Sequence, residues 1–100
     1  MTELEELRER IKRALEREGF DDLLPHVYED KVVVQLATHT YINEDPQVIT
    51  RSDLYRIIDA VSSVVGGIED WQLVFHTLYD DNFNPNGANL DLVLLRRRRG

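Results

Sequence analysis

The chain has 100 residues, no cysteine and a formal net charge of −7. This length fits one domain, and the missing cysteines exclude disulfides and thiolate zinc sites. No apolar run approaches the roughly 18 residues that cross a bilayer, and the charged start from Glu3 onward does not resemble a signal peptide. We therefore expect a cytoplasmic protein.

The basic residues are concentrated at the C-terminal end. Four of the twelve lie in the run Arg96, Arg97, Arg98 and Arg99, so the body of the chain is acidic. An acidic body argues against wide coating of nucleic acid, whereas guanidinium groups match phosphate oxygens. These four arginines are the candidate nucleic-acid contacts, and a solvated tail is the alternative interpretation.

The first predicted element is a helix over about residues 3–18. Thr2 and Glu5 fit a capping box before it, and Gly19 suits the left-handed position that ends a helix. This segment favours packing on a sheet, with a short coiled-coil contact to another chain as the alternative. Its apolar residues recur at helical spacing in a narrow stripe, formed by Leu4, Leu7, Ile11, Ala14 and Leu15.

β-Branched residues dominate the first clear strand, which we predict over residues 32–42. Val27 and Tyr28 form a weaker strand signal before it. A second helix follows, with Thr50 or Ser52 as its cap.

That second helix ends at the paired glycines that follow residue 65. Aromatic and branched residues predict a strand over 71–79, and an apolar segment predicts another over 89–96. A polar, Asn-rich loop over 80–88 joins these two strands.

These elements predict an α+β fold with the order α-β-α-β-β, in a single domain over residues 1–96 that a basic tail over 97–100 follows. The connection through the second helix should be right-handed. Placing the last strand between the other two gives a three-stranded sheet of order 1-3-2. Both helices then cover one face, in a two-layer α/β sandwich.

Alternation along the strands divides their residues between two faces. Phe75 and Leu92 fall on the face under the helices, where we expect both to be buried near the second helix. The opposite face mixes polar with apolar side chains, which is typical of a surface that meets a partner. The candidate interface residues on this open face and in the loop are Val33, Tyr41, Val74, Leu78, Phe83, Val93 and Leu95.

Few residues suggest chemistry. His39, His76 and Asp91 share the open face by parity, and histidine and carboxylate are metal-ligand types, but three separate strands supply them. The Asn-rich loop resembles a calcium loop, yet Asn82 and Val93 stand where such a loop has its acidic first and twelfth residues. We therefore predict no metal and no other cofactor.

These observations favour a protein that is not an enzyme. The favoured function is a non-catalytic interaction or assembly subunit that acts through the open sheet face and the long loop. Its partner would be another protein or further copies of itself in a homo-oligomer, and no membrane contact is expected. The alternatives are a nucleic-acid-associated accessory protein that uses the arginine run and a small metal-dependent enzyme.

Overall fold

A computed structural model describes residues 2–40, 49–79, 81–83 and 85–97. Within these ranges, the side chains of residues 37–40, 78 and 85–89 are outside the description. Three residues named above, Tyr41, Arg98 and Arg99, lie outside the described residues altogether.

Two helices and four strands are present in the described ranges. They are α1 (Glu3–Arg17), β1 (Leu24–Val27), β2 (Lys31–Thr40), α2 (Arg51–Val65), β3 (Ile68–Tyr79) and β4 (Pro85–Arg96). The strands form one antiparallel sheet in the order β1-β2-β4-β3. The α+β class is confirmed, and β4 lies between β2 and β3 as expected, but the sheet has four strands rather than three. Neither described helix is long and apolar enough to span a membrane.

The additional strand is β1, at one edge of the sheet. It pairs with β2 from Leu24 opposite Gln35 to Val27 opposite Val32. Pro25 lies inside it, and proline lacks the N–H that a strand interior needs. An edge strand tolerates proline because it needs partners on one side only. Because of this proline, the sequence pattern indicated a turn where the structure has a short edge strand.

The C-terminal end of α1 is closed by a Schellman motif. The N–H of Phe20 donates to the Leu15 carbonyl at 2.9 Å, and the N–H of Gly19 donates to the Glu16 carbonyl at 3.0 Å. Gly19 has φ 89°, a conformation that glycine adopts without a side-chain penalty. The predicted glycine stop is thus confirmed.

Two arginines attach α1 to the rest of the fold. Arg56 of α2 donates to the Glu18 carbonyl, lies 3.3 Å from the Glu18 carboxylate and stacks 4.9 Å from the centre of the Phe20 ring. A carbonyl that the end of the helix leaves without an intrahelical partner is thereby satisfied. On the sheet side, Arg8 Nε donates to the Pro25 carbonyl at 3.0 Å. These contacts hold α1 beside α2 and over β1.

One apolar core lies between the helices and the sheet. Residues of the predicted stripe of the first helix pack in this core, as the sheet-packing interpretation expects, rather than in a coiled coil. The strands β2 and β4 supply the sheet side of this core. The buried apolar residues in it are Ile11, Ala14, Leu15, Leu23, Val32, Val34, Leu36, Ile57, Ala60, Val61, Leu92 and Leu94.

The outer strand β3 is left largely uncovered. Trp71, Leu73 and Phe75 are 37%, 45% and 65% exposed, although they lie opposite core-face residues of β4. We call these three residues the β3 strip. The predicted burial of Leu92 is confirmed at 0% exposure, but that of Phe75 is wrong. The reason is β1, because a fourth strand at the far edge shifts the middle of the sheet, and the helices over it, away from β3.

The connection between β3 and β4 is shorter than predicted. Tyr79 already pairs with Pro85, and Leu78 pairs with Gly87, so residues 85–88 belong to β4 and not to a nine-residue loop. A register shift between Leu78 and Tyr79 accommodates the irregular end of the hairpin. The strands therefore extend further than the polar sequence suggested.

Residue Thr50 caps α2 and supports a testable prediction. Its hydroxyl oxygen accepts from the Asp53 N–H at 3.1 Å, and the Asp53 carboxylate accepts from the Thr50 N–H at 3.3 Å. Thr50→Ala removes the first of these bonds and should lower the free energy of unfolding by about 0.5–2 kcal/mol. Thr50→Ser keeps the hydroxyl and should stay close to the parent in urea unfolding. An equal loss in both variants would contradict the capping role.

Candidate functional site

The candidate site is the open sheet face, which lies opposite the helices. Val33 of β2 lies directly opposite Val93 of β4, and Val93 lies opposite Gln72 of β3. A second row places Asp91 opposite Val74. Directly opposed residues in an antiparallel pair share one face. The register therefore brings the predicted residues Val33, Val74 and Val93 together.

These apolar side chains are neither buried nor fully in water. Val33, Val74, Val93 and Leu95 are all half-buried, since neighbouring strands shield them and both described helices lie on the other face of the sheet. These valine and leucine side chains form an apolar patch on three adjacent strands, with Gln72 and Asp91 among them. Exposed apolar surface of this kind is typical of a site that meets another molecule.

Polar groups alternate with the apolar side chains on this face. Gln72 lies directly opposite Val93, and Asp91 lies between Val74 of β3 and Gln35 of β2. His76 Nε2 lies 3.2 Å from Asp91 Oδ2, with the histidine side chain about half exposed. Protein interfaces combine apolar contacts with hydrogen-bonding groups in this way.

His39, the third residue considered as a metal ligand with His76 and Asp91, does not fall in the expected register. His39 pairs with Ala88, whereas His76 pairs with Asn89, the next residue of β4. The cause is a register shift in β2 between Gln35 and Ala37, which changes the parity that the sequence analysis assumed. Adjacent strand residues belong to opposite faces. Over the described part of the chain, no group of three or more His, Asp or Glu residues is placed to hold a metal ion.

The remaining loop residue of the predicted interface is Phe83, at the tip of the β3–β4 hairpin. Its side chain is exposed and its φ is 62°, a left-handed conformation that costs a non-glycine residue roughly 1–2 kcal/mol. Asn84 of the Asn-rich loop lies outside the described residues. Leu78, which we placed on the open face, pairs with Gly87, and its side chain is outside the description.

The arginine run begins inside the fold. The Arg96 N–H donates to the Asp30 carbonyl at 3.1 Å, and its Nη1 donates to the Glu29 carbonyl at 3.3 Å. The Arg97 N–H donates to the Gly67 carbonyl at 3.4 Å. Arg96 thus binds the turn between β1 and β2 of its own chain, and Arg97 is exposed at the end of β4.

The β3 strip is the surface that sequence reasoning missed. Parity correctly placed Trp71, Leu73 and Phe75 on the helix side, but parity does not show how far the helices reach. The signal that was available is the segment Leu24–Val27. Recognising it as a strand adds a fourth strand at the far edge and moves the middle of the sheet away from β3, which is an edge strand in either arrangement. In comparisons with known proteins, no family model, no curated protein and no solved structure matches this chain.

Proposed function

We propose that the protein is a non-catalytic binding subunit that contacts another protein through its open sheet face. The observation that supports this most directly is the half-buried patch of Val33, Val74, Val93 and Leu95 on three adjacent strands. Water contact with this patch is unfavourable by about 25 cal/mol for each Å² of apolar surface. Covering it with a partner recovers that free energy.

In this proposal the His76–Asp91 pair has a binding role. Asp91 lies directly opposite Val74 of the patch, on an exposed sheet surface rather than in an enclosed pocket of the kind that binds small molecules. A histidine and a carboxylate there can exchange hydrogen bonds with a partner backbone. Such contacts set the orientation of a complex whose apolar centre supplies the affinity.

The test is Val93→Asp, at the centre of the patch. In the free protein the new carboxylate remains in contact with water, so the domain should fold. In a complex the same carboxylate would be desolvated without a counter-ion, which costs several kcal/mol. We expect the variant to lose a partner or a self-association that the parent retains, measured by affinity capture with quantitative mass spectrometry and by sedimentation velocity.

Two further variants make this experiment decisive. Tyr55→Asp changes an exposed residue of α2, in the other layer, and should behave as the parent. Val74→Lys tests the same patch from β3 if Val93→Asp proves poorly folded by circular dichroism. If folded Val93→Asp and Val74→Lys recover the same proteins in the same oligomeric state as the parent, the open face is not the binding surface.

A further inference from the structure

The edge strand β3 has the features of a strand that pairs with another chain. It runs for 12 residues, Ile68–Tyr79, and among the described strands only β4 pairs with it. A long edge strand presents a row of backbone donors and acceptors on its outer side. Val74 and His76 of the open face lie on this strand, but pairing at the edge uses the outward backbone groups of β3, so it is a second mode of contact beyond the proposed function.

The middle of β3 lacks the devices that normally prevent edge pairing. Those devices are proline, charge and bulges, and residues 71–75 contain neither proline nor charge. The irregularities of β3 are at its two ends, where the register shifts between Ile68 and Asp70 and between Leu78 and Tyr79. At the first end, Asp70 Oδ1 accepts from the Trp71 N–H at 2.8 Å. Between the two ends the edge is open, and the β3 strip lies along it.

We propose that two copies of this chain pair through β3, antiparallel, around a two-fold axis at Leu73. A two-fold axis perpendicular to the sheet keeps both helix layers on the same side. Residues whose numbers sum to 146 then lie opposite each other and share a face. The sheets of the two copies join into one continuous antiparallel sheet.

The sequence of β3 is complementary to itself in this register. On the helix side, Trp71 lies opposite Phe75 of the second copy, and the two Leu73 side chains meet at the axis. On the other side, Asp70 lies opposite His76 of the second copy, a hydrogen-bond acceptor facing a ring that can donate and that also lies 3.2 Å from Asp91 of its own chain. Aromatic pairs are favourable as cross-strand neighbours.

The neighbouring registers do not share this complementarity. An axis at Gln72 places Phe75 opposite Glu69 of the second copy, an aromatic ring against a carboxylate. An axis at Val74 moves Asp70 away from His76 and opposite Leu78. The Leu73 and Val74 axes are equally close to the middle of β3, which spans Ile68–Tyr79, so the side-chain pairs, and not the length of pairing, favour the Leu73 axis.

The first experiment measures self-association of the parent and of two matched variants. Leu73 of β3 and Leu24 of β1 are 45% and 47% exposed and lie on the two opposite edges of the sheet. Sedimentation velocity over a concentration series should show a dimer for the parent and for Leu24→Lys. Leu73→Lys brings two like charges together at the axis and should weaken dimerisation by at least about 30-fold, the level of a central hot spot.

The single tryptophan provides a second readout. Trp71 is at the proposed interface and is the only tryptophan of the chain. Its fluorescence maximum should shift to shorter wavelength as the parent dimerises, and Leu73→Lys should abolish the concentration dependence. If Leu73→Lys is poorly folded by circular dichroism, Phe75→Lys replaces it, because Phe75 is 65% exposed.

Cysteine cross-linking tests the register itself. The chain has no cysteine, so Leu73→Cys introduces one thiol for each copy. Directly opposed Cα atoms are about 4.5–5.5 Å apart, within the range that a disulfide spans. Leu73→Cys should therefore give a disulfide-linked dimer on mild oxidation. Tyr79→Cys should not, since its two copies would lie about 40 Å apart along the strands.

Three results would overturn the proposal. One is a parent protein that stays monomeric at about 100 µM, where a micromolar Kd gives mostly dimer. Another is a dimer that persists in Leu73→Lys but is lost in Val93→Asp, which would support the open face as the self-association surface instead. The third is cross-linking of Tyr79→Cys without cross-linking of Leu73→Cys. Dimerisation that survives in Val93→Asp and is lost in Leu73→Lys supports pairing through β3, whatever the open face binds.

Discussion

Replacing Leu92 with alanine should lower the free energy of unfolding by about 2–5 kcal/mol. Leu92 is fully buried in β4, between Val34 of β2 and Leu73 of β3 in the register. Truncating it leaves a cavity between the sheet and the helices, and the strands on both sides prevent collapse. A small domain has only about 5–15 kcal/mol of stability, so the loss should be evident in urea unfolding.

The matched comparison for Leu92 is Phe75→Ala on the neighbouring strand. Phe75 is 65% exposed, and we expect its truncation to cost less than about 1 kcal/mol, as for surface substitutions. Both variants should be measured at low protein concentration, because dimerisation through β3 would add a stability that depends on concentration. A loss for Phe75→Ala as large as that for Leu92→Ala would show that a helix covers β3.

Replacing Ile11 with alanine should also cost about 2–5 kcal/mol. Ile11 is fully buried on the inner face of α1, next to Leu15, in the core that the sheet completes. The substitution slightly favours the helix itself. Any loss of stability therefore comes from packing. Thermal or urea unfolding followed by circular dichroism measures this loss.

The control for Ile11 is Leu4, in the first turn of the same helix. Leu4 is half-buried, and Leu4→Ala should change the free energy of unfolding by less than about 1 kcal/mol. Leu4 and Ile11 both belong to the apolar stripe of α1, for which a coiled-coil contact with another chain was the alternative interpretation. Equal effects of Ile11→Ala and Leu4→Ala, both dependent on protein concentration, would favour a contact between chains over the internal core.

Local signals in the sequence predicted the helices well. Thr2 and Gly19 mark the ends of α1, and the Thr2 hydroxyl accepts from the Glu5 N–H at 3.2 Å. Thr50 was one of two predicted caps of α2, and it is the one used. These features depend on hydrogen bonds over a few residues, so they can be recognised without knowledge of the rest of the fold.

The strands were predicted less completely, because pairing with neighbouring strands determines where a strand begins and ends and which face each residue is on. Pro25 made the β1 segment look like a turn, and the turn-type residues Pro85, Asn86 and Gly87 did the same for the start of β4, although both segments pair in the sheet. The shift between Gln35 and Ala37 also changed the parity beyond it, which affected the proposed position of His39. A bulge is a property of a pair of strands, and the sequence of one strand does not show it.

By itself the sequence determined the α+β class, the helix ends, the central position of β4 and the two-sided character of the strands. Hydrogen bonds and alternation within short segments are enough for these features. Only the tertiary structure decided which side chains are covered. The helices follow the middle of a four-strand sheet, so Leu92 is buried while Phe75, with the same parity, remains exposed. Burial depends on what packs above a residue, and that depends on every strand in the sheet.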